Sequence, residues 1–203
     1  MPFLEIDMPE RTDFAERYAS GRTPWDSGVP SEELLRALNA GKLTGNSVLE
    51  IGCGTGTNAI ELAGRGFRVT AVDIVDQAIQ TARGKARAAA VDVDFCVADV
   101  LKDDLGGPYD VLFERGVYHC LRTVDLNAFQ QFLKHVTHSG SCFLSLAGNA
   151  REDTDPGPPV VSEQEIRAEL GPLFDIIELR EFRFASNQGD FRPLGWSVLM
   201  RRK

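Results

Sequence analysis

The sequence has few of the residues that build metal centres or disulfide frameworks. It contains three histidines and four cysteines in 203 residues, and the cysteines lack the CxxC or Cys/His spacing of a zinc site. We therefore predict no metal and interpret the cysteines as reduced thiols. The four cysteines are Cys53, Cys96, Cys120 and Cys142.

Signals for export and membrane insertion are also missing. Residues 1–10 mix acidic and apolar side chains and lack the basic and apolar segments of a secretory signal. No apolar run approaches the roughly 20 residues that a membrane helix requires. We expect a cytoplasmic protein without a membrane partner.

Positive charge is scarce in this chain. Lys and Arg number 22 against 30 Asp and Glu, which gives a formal net charge of −8 at pH 7. An acidic protein repels phosphate backbones, so the charge argues against nucleic acid as a partner and favours a small molecule. The length fits a single domain, 1–203, and leaves both monomer and homodimer open.

What the chain does contain, after residue 46, is an alternation of short β-branched segments and longer segments with helical apolar spacing. This alternation predicts an α/β fold, a parallel sheet covered by helices. Two final strand-like segments predict an antiparallel β-hairpin at the end of the sheet. Predicted strands cover 47–51, 68–72, 92–97, 109–113, 141–147, 174–185 and 195–201, and predicted helices cover 58–65, 75–90, 125–138 and 162–170.

The segment before residue 46 has a different character. Helices are predicted near 13–19 and 31–40, on either side of the sequence Thr-Pro-Trp-Asp-Ser-Gly at 23–28. The chain has no repeat, linker or second core. We therefore expect residues 1–45 to pack as a helical lid over a core formed by 46–203.

The strongest local signal is a glycine-rich turn between the first strand and its helix. Glycines stand at 52, 54 and 56, where they allow close approach of a ligand to the backbone, and the helix N-terminus offers free N–H groups to a carboxylate. The dinucleotide fingerprint requires glycine where this chain has Thr57. Glu50 would repel a pyrophosphate, so it suits a cationic ligand or a buried structural network. A dinucleotide oxidoreductase is the disfavoured alternative.

Two aspartates follow the next strands. Asp73 stands 17 positions after Gly56, at the carboxyl end of a strand, where ligands bind in parallel sheets. A carboxylate there can accept both hydroxyls of a ribose, and such bonds contribute about 1.5–3 kcal/mol each. Asp99 is placed to accept an adenine amino group. The alternatives are a helix cap for Asp73 and an ordinary turn residue for Asp99.

In combination, these features resemble the class I S-adenosylmethionine-dependent methyltransferases, from about residue 46 to the end. The resemblance implies a three-layer, Rossmann-like, mostly parallel sheet with a C-terminal antiparallel hairpin, and S-adenosyl-L-methionine as cofactor. It implies that the glycine turn holds the methionine part, Asp73 the ribose and Asp99 the adenine. The implied cofactor residues are Trp25, Glu50, Gly52, Cys53, Gly54, Thr55, Gly56, Asn58, Asp73, Ile74, Asp99, Val100 and Glu114.

A finer resemblance involves the 23–28 sequence, Phe-Glu-Arg-Gly-Val-Tyr-His at 113–119, Gly-Asn at 148–149 and Gly-Pro-Pro at 157–159. These are similar to the small-molecule branch that contains thiol, thiopurine, halide and tellurite-resistance methyltransferases. In that branch the Trp-x-x-Gly element belongs to a lid, which implies that Trp25 stacks on or faces the sulfonium. Such a contact stabilises a cation by about 0.5–2 kcal/mol. An ordinary packing tryptophan is the alternative.

The predicted acceptor site is the rim after the fourth strand. A thiol with a pKa near 8.5 is partly ionised at neutral pH, and Arg115 beside it would raise that fraction, so no base is needed. A hydroxyl acceptor needs a base, and His119 or Tyr118 is the available group. A structural histidine is the alternative for His119. We predict His119 and Arg115 as catalytic residues and Tyr18, Tyr118 and Asn149 as acceptor contacts.

The sequence therefore predicts an enzyme that methylates a small molecule, with a thiol or related sulfur nucleophile as the first expectation. The alternatives are an O-methyltransferase of a hydroxylated aromatic or heteroaromatic metabolite and a module that binds S-adenosylmethionine without transferring its methyl group. The small lid argues against protein or tRNA acceptors. The chain reads Glu-Arg-Gly-Val at 114–117 instead of an Asn-Pro-Pro-Tyr element, which disfavours exocyclic amines.

Overall fold

The computed structural model describes residues 11–152, 159–187 and 192–203. Strands and helices alternate from β1 to β3 and from β4 to β5, whereas β3 is followed by β4 without a helix between them. The elements are α1 (Arg11–Ser20), α2 (Glu32–Asn39), β1 (Ser47–Ile51), α3 (Thr57–Gly64), β2 (Arg68–Asp73), α4 (Asp76–Ala88), β3 (Asp94–Val97), β4 (Tyr109–Arg115), α5 (Tyr118–Val136), β5 (Thr137–Gly148), α6 (Glu163–Leu170), β6 (Phe174–Arg183) and β7 (Leu194–Arg202).

The strands form one seven-stranded sheet in the order β3-β2-β1-β4-β5-β7-β6. β1 pairs in parallel with β2 on one side and with β4 on the other. β7 is antiparallel to both of its neighbours, β5 and β6. The prediction of a mostly parallel sheet with an antiparallel hairpin is confirmed. The strand order reverses between β1 and β4, and ligands bind in the crevice at such a point.

Helices cover both faces of the sheet, because successive strand residues point to opposite sides. In β1, Val48 packs into a cluster with Leu34 of α2 and Leu62 of α3. The next residue, Leu49, packs into the opposite cluster with Phe129 of α5. This alternation produces the three layers implied by the resemblance.

The helix after β4 begins earlier than predicted. It starts at Tyr118 instead of near residue 125, and the backbone of Asp125 leaves the helical region (φ −157°, ψ 91°). The Asp125 carboxylate accepts the N–H of Ala128 at 2.8 Å, which caps the second part of the helix. The apolar pattern identifies only this second part. The missed first turn changes the direction of the side chains that follow β4.

A capping box begins α6. Glu165 N donates to Ser162 Oγ at 3.2 Å, and Ser162 N donates to Glu165 Oε2 at 2.8 Å. Among the described ranges, no helix is both long and apolar enough to cross a bilayer.

The N-terminal segment packs against one face of the sheet and against α3. Leu34 and Ala37 of α2 are fully buried, and Ser31 N donates to Asn58 Oδ1 of α3 at 2.8 Å. Residues 1–10 of the predicted lid lie outside the described residues, as do positions 157 and 158 and part of the connection between β6 and β7. The division into a lid, 1–45, and a core, 46–203, stays a prediction.

Candidate active site

The glycine turn after β1 has positive φ at all three of its glycines, with values of +65° at Gly52, +54° at Gly54 and +78° at Gly56. Other residues rarely adopt this region. A Cβ atom at Gly52 would lie 2.3 Å from Val117 Cγ2, and one at Gly54 would lie 2.9 Å from Tyr18 Oη. Glycine at these positions therefore lets Val117 and Tyr18 pack against the turn, and the close approach of a ligand stays a prediction.

A cleft opens between this turn and the N-terminal segment. The segment reaches over the turn from Trp25 to Val29, and Arg115 closes one end. Of the predicted site residues, the cleft brings together Tyr18, Trp25, Gly52, Cys53, Gly54, Thr55, Asn58 and Arg115. It is also lined by Asp26, Ser27, Gly28, Val29 and Thr57, which were not among the predicted site residues.

Asp73 fastens the glycine turn to the start of α4. Its Oδ2 accepts the N–H of Gly54 and its Oδ1 accepts that of Val75, each at 2.9 Å. Burial raises the pKa of Asp73, against these bonds. The capping alternative therefore describes part of what Asp73 does. Ile74, which follows it, is half-buried.

The end of β3 lies beside Asp73, because Ala98 N donates to the Asp73 carbonyl at 3.0 Å. The Asp99 carboxylate accepts Leu101 N at 3.2 Å and lies 3.3 Å from Lys102 Nζ. Val100 is 9% exposed. The two predicted aspartates thus stand at the ends of neighbouring parallel strands.

Glu50 is a buried carboxyl group with an unused oxygen. It is 2% exposed, and its Oε1 accepts Asn58 Nδ2 at 3.4 Å. Its Oε2 has no hydrogen-bond partner among the described residues. Burial raises its pKa to about 8, although the Asn58 hydrogen bond acts in the other direction. Leaving a buried oxygen unpaired costs about 1–3 kcal/mol, which a cationic ligand beside Asn58 would relieve.

Side chains of the N-terminal segment bond to one another and to the glycine turn. Trp25 Nε1 donates to Tyr18 Oη at 3.1 Å, and the two rings meet edge to face. Thr55 Oγ1 donates to Asp26 Oδ2 at 2.9 Å and accepts Lys85 Nζ at 2.5 Å. Burial raises the pKa of Tyr18, and the charge of nearby Asp73 adds to this effect. The phenol is therefore neutral.

Arg115 links the N-terminal segment to the C-terminal hairpin at the cleft. Its Nη1 donates to the Trp25 carbonyl at 3.0 Å and its Nη2 to the Ala185 carbonyl at 2.6 Å. Its guanidinium carbon lies 5.0 Å from the centre of the Phe184 ring. These contacts hold the cation between the N-terminal segment and the C-terminal hairpin.

The charge of Arg115 is not neutralised by contact. No carboxylate of residues 14–152, 159–187 or 192–203 lies within 4.0 Å of its guanidinium. Burial lowers the pKa of Arg115, while Asp26, Glu114 and Glu50 raise it from a greater distance. Buried charges are in general paired. A half-buried cation that lines a cleft without such a partner favours an anionic ligand.

His119 does not lie at the predicted acceptor rim. It is 4% exposed, and its Nδ1 accepts the N–H of Gly148 at 2.7 Å. Burial lowers the pKa of His119 to about 4, so the ring is neutral, and it does not line the cleft. This geometry fits the structural alternative and gives no support to His119 as a catalytic base.

Glu114 and Tyr118 also point away from the cleft. Glu114 is fully buried, accepts Val117 N at 2.7 Å and Tyr118 N at 3.2 Å, and bonds to the Ser145 hydroxyl. Burial raises its pKa to about 7. Tyr118 donates to Glu169 of α6 at 2.6 Å. Because α5 begins at Tyr118, Glu114 accepts the N–H groups at the start of this helix and Tyr118 packs in the opposite core, so neither side chain lines the cleft.

Asn149, a predicted acceptor contact, also has a structural role. It is fully buried, its Nδ2 donates to Glu181 at 3.2 Å, and its Oδ1 accepts Arg151 N at 2.9 Å. The residue thus fixes the chain after β5. Of the predicted rim after β4, only Arg115 lines the cleft. Ala185 was missed because it lies 70 positions from Arg115, and no motif marks it.

Comparisons with known proteins agree with this geometry. A family model described as a methyltransferase domain matches residues 48–140. The 2-heptyl-1-hydroxyquinolin-4(1H)-one methyltransferase of Mycobacteroides abscessus is 28% identical over 186 residues, which cover 89% of this chain and 81% of that protein. An uncharacterised methyltransferase of Schizosaccharomyces pombe is 32% identical over 108 residues, covering 53% of this chain and 74% of that protein.

Solved structures share the fold. One, described under the conversion of a disulfide bond into a thioacetal group during echinomycin biosynthesis, has a TM-score of 0.78 and 26% identity, covering 89% of this chain and 84% of that one. Another is the Burkholderia thailandensis 1,6-didemethyltoxoflavin-N1-methyltransferase with bound S-adenosylhomocysteine. Its TM-score is 0.75 at 19% identity, covering 100% of this chain and 93% of that one.

The residues present fit S-adenosylmethionine as cofactor. The unpaired Oε2 of Glu50 suits an ammonium group, and the turn at Gly52 and Gly54 lines the cleft. The predictions of the enzyme class and of the cofactor are confirmed, and the dinucleotide alternative is set aside. The chain belongs to the class I S-adenosylmethionine-dependent methyltransferases.

Proposed function

We propose that this enzyme methylates a small molecule whose acceptor atom is already ionised near neutral pH, with a thiolate as the best-supported acceptor. The observation that carries this proposal is that the half-buried cation of Arg115 lines a cleft whose described residues include no suitable base. The thiol, thiopurine, halide and tellurite-resistance branch predicted from the sequence is consistent with it.

The cleft residues that titrate are poor bases. Burial raises the pKa of both Tyr18 and Cys53, so both are neutral and hold their protons. Asp26 has one oxygen occupied by the Thr55 hydroxyl, and a carboxylate is in general too weak a base to take the proton of an alcohol. His119 is committed to Gly148. An acceptor that ionises by itself fits this set of residues.

The cofactor would be held by the residues that surround the glycine turn. The backbone at Gly52 and Gly54 and the N-terminus of α3 suit the methionine carboxylate, and Glu50 suits the ammonium. Asp73 and Asp99 suit the ribose and the adenine, as the resemblance implies. When bound, S-adenosylmethionine supplies a methyl group on a positively charged sulfur that an electron-rich atom takes without acid catalysis.

Arg115 would raise the ionised fraction of the acceptor. An opposite charge nearby lowers the pKa of an acidic group by about 1–3 units. A thiol with a pKa near 8.5 is about 3% ionised at pH 7, and lowering that pKa by about 2 units gives about 75%. The N-terminal segment, through Trp25 and Tyr18, would exclude water from the same cleft.

A second candidate acceptor is an acidic hydroxyl group on a heteroaromatic ring. The Mycobacteroides relative is named for a hydroxylated quinolone, whereas the structure with 26% identity is described by sulfur chemistry. Both acceptors would present an anion to Arg115. They differ in the element that receives the methyl group, so mass spectrometry of the products separates them.

The test measures turnover by a variant that lacks the predicted base, His119, but keeps its hydrogen bond to Gly148. His119→Asn retains an oxygen near the position of Nδ1, which can accept the Gly148 N–H, but it cannot act as a base. We expect its kcat/KM to stay within about threefold of the parent across a panel of thiols and heteroaromatic hydroxyls. A loss of 100-fold or more in the folded variant, the size of general base catalysis, would refute the proposal.

A further inference from the structure

A second, smaller cavity adjoins the cofactor cleft. Ser31 and Glu32 form one side of it, and Phe182, Arg183 and Ala185 of the C-terminal hairpin form the other. Ser27 and Arg115 line both this cavity and the cofactor cleft. A molecule in the second cavity therefore reaches the wall of the cofactor cleft. We call this cavity the acceptor slot.

The aromatic side of the acceptor slot is fixed by packing. The rings of Phe182 and Phe184 meet at 4.5 Å between centroids and 63° between planes. A Cβ atom at Gly195 would lie 2.6 Å from both rings, so glycine on the neighbouring strand makes room for the pair. Phe184 is 9% exposed, whereas Phe182 is half-buried. Phe182 thus presents part of a fixed ring to the slot.

The inner end of the acceptor slot is positively charged. Arg115 uses two of its five N–H groups on the carbonyls of Trp25 and Ala185. Its charge meets no carboxylate within ion-pair distance among the described residues. An anionic atom at this end would be attracted to Arg115 and would stand at the boundary with the cofactor cleft.

We propose that the acceptor slot binds the methyl acceptor as a planar aromatic molecule, with its ring against Phe182 and its anionic atom toward Arg115. Phe182 is then a residue that determines specificity, because an aromatic face interacts with an aromatic ligand more favourably than with a saturated ring of equal size. This inference rests on the proposed function, since it names the acceptor class for the same reaction.

The experiment compares an aromatic thiol with its saturated counterpart. Phenylmethanethiol and cyclohexylmethanethiol both carry the sulfur on a CH2 group, and each is titrated calorimetrically into protein saturated with S-adenosylhomocysteine. Phe182→Leu is compared with Phe67→Leu, a matched control, because Phe67 is also half-buried against the same core cluster but does not line the slot. Binding needs no turnover, so the measurement stands apart from activity.

We expect Phe182→Leu to weaken binding of phenylmethanethiol about fivefold, equivalent to about 1 kcal/mol. Binding of cyclohexylmethanethiol should change less than twofold, and Phe67→Leu should affect neither thiol. Equal loss for both thiols, no change in Phe182→Leu, or no binding of phenylmethanethiol to the parent would overturn the inference.

Turnover distinguishes this inference from the proposed function. If the parent methylates thiols but Phe182→Leu discriminates between phenylmethanethiol and cyclohexylmethanethiol as the parent does, the inference about the acceptor slot is wrong and the proposed function stands. If Phe182-dependent aromatic binding occurs and the parent methylates an aromatic amine but no thiol or hydroxyl, the proposed function is wrong and the slot stands. Loss of S-adenosylhomocysteine binding in Phe182→Leu would assign the ring to the cofactor and overturn the inference.

Discussion

Replacing Glu50 with glutamine is expected to stabilise the folded protein and to weaken its binding of the cofactor. Burial raises the pKa of Glu50 from 4.5 to about 8. The folded chain then binds this proton more tightly than the unfolded chain, so Glu50 contributes stability that is present below pH 4.5 and is lost as the pH rises toward 8. Glutamine does not ionise, so it removes this loss.

The size of the effect follows from the difference between the two pKa values. Each pKa unit corresponds to about 1.36 kcal/mol. Because Glu50 ionises more readily in the unfolded chain, its titration lowers the free energy of unfolding of the parent by about 3 kcal/mol at pH 7 and by about 4 kcal/mol at pH 8. The free energy of unfolding of Glu50→Gln should exceed that of the parent by amounts of this order, with the gap closing toward pH 4.5. Glu61→Gln, in an exposed pair with Arg65, should change stability by less than about 1 kcal/mol.

The assay is urea unfolding of the ligand-free proteins between pH 5 and pH 8.5. His119 acts in the opposite direction, because its lowered pKa of about 4 makes stability rise with pH toward the unfolded value of 6.5. Glu114, with a pKa raised to about 7, acts in the same direction as Glu50. Both contributions cancel in the difference between Glu50→Gln and the parent. A difference that does not grow with pH would refute the reasoning.

Cofactor binding provides the second half of this prediction. If Glu50 holds an ammonium group, Glu50→Gln should bind S-adenosylhomocysteine about 10- to 100-fold more weakly, the value of one to two charge-assisted hydrogen bonds. Binding to the parent at pH 7 should also release a proton as Glu50 ionises, which calorimetry in buffers of different ionisation enthalpy measures. Undiminished binding by Glu50→Gln would remove Glu50 from the cofactor site.

Two further substitutions test the assignments around β4. Arg115→Gln should reduce kcat/KM for thiols about 10- to 100-fold and move the pH midpoint of activity up to the pKa of the free acceptor. Arg68→Gln, at an exposed position, should change neither quantity. A collapse of S-adenosylhomocysteine binding in Arg115→Gln would instead pair Arg115 with the cofactor. Tyr118→Phe removes the bond to Glu169 and should lower the free energy of unfolding by about 1–2 kcal/mol without changing KM for the acceptor, and a raised KM would return Tyr118 to the acceptor site.

The glycine turn and the strand before it could be predicted from the sequence, because local backbone geometry determines both. Gly52 and Gly54 need positive φ whatever surrounds them, and β1 matches its predicted range of 47–51. The position of Asp73 at the end of a parallel strand was also predicted, whereas its bond to Gly54 was not.

The rim after β4 was not predictable in the same way. Whether Tyr118 and His119 face the cleft depends on where α5 begins, and that start is marked by the buried Glu114 carboxylate and not by an apolar pattern. The contact between Arg115 and Ala185 depends on the position of the hairpin. Such contacts join distant parts of the chain, so a single sequence carries no local sign of them.

The clamp at Arg115 has a consequence for how the protein is made. The Trp25 carbonyl is synthesised long before the Ala185 carbonyl. β6 joins the sheet only through β7, which follows it in the chain and lies between it and β5. On the ribosome, the residues that line the cofactor cleft, 18–115, therefore emerge first, and the acceptor slot lacks the wall formed by Phe182 and Ala185 until β7 has emerged.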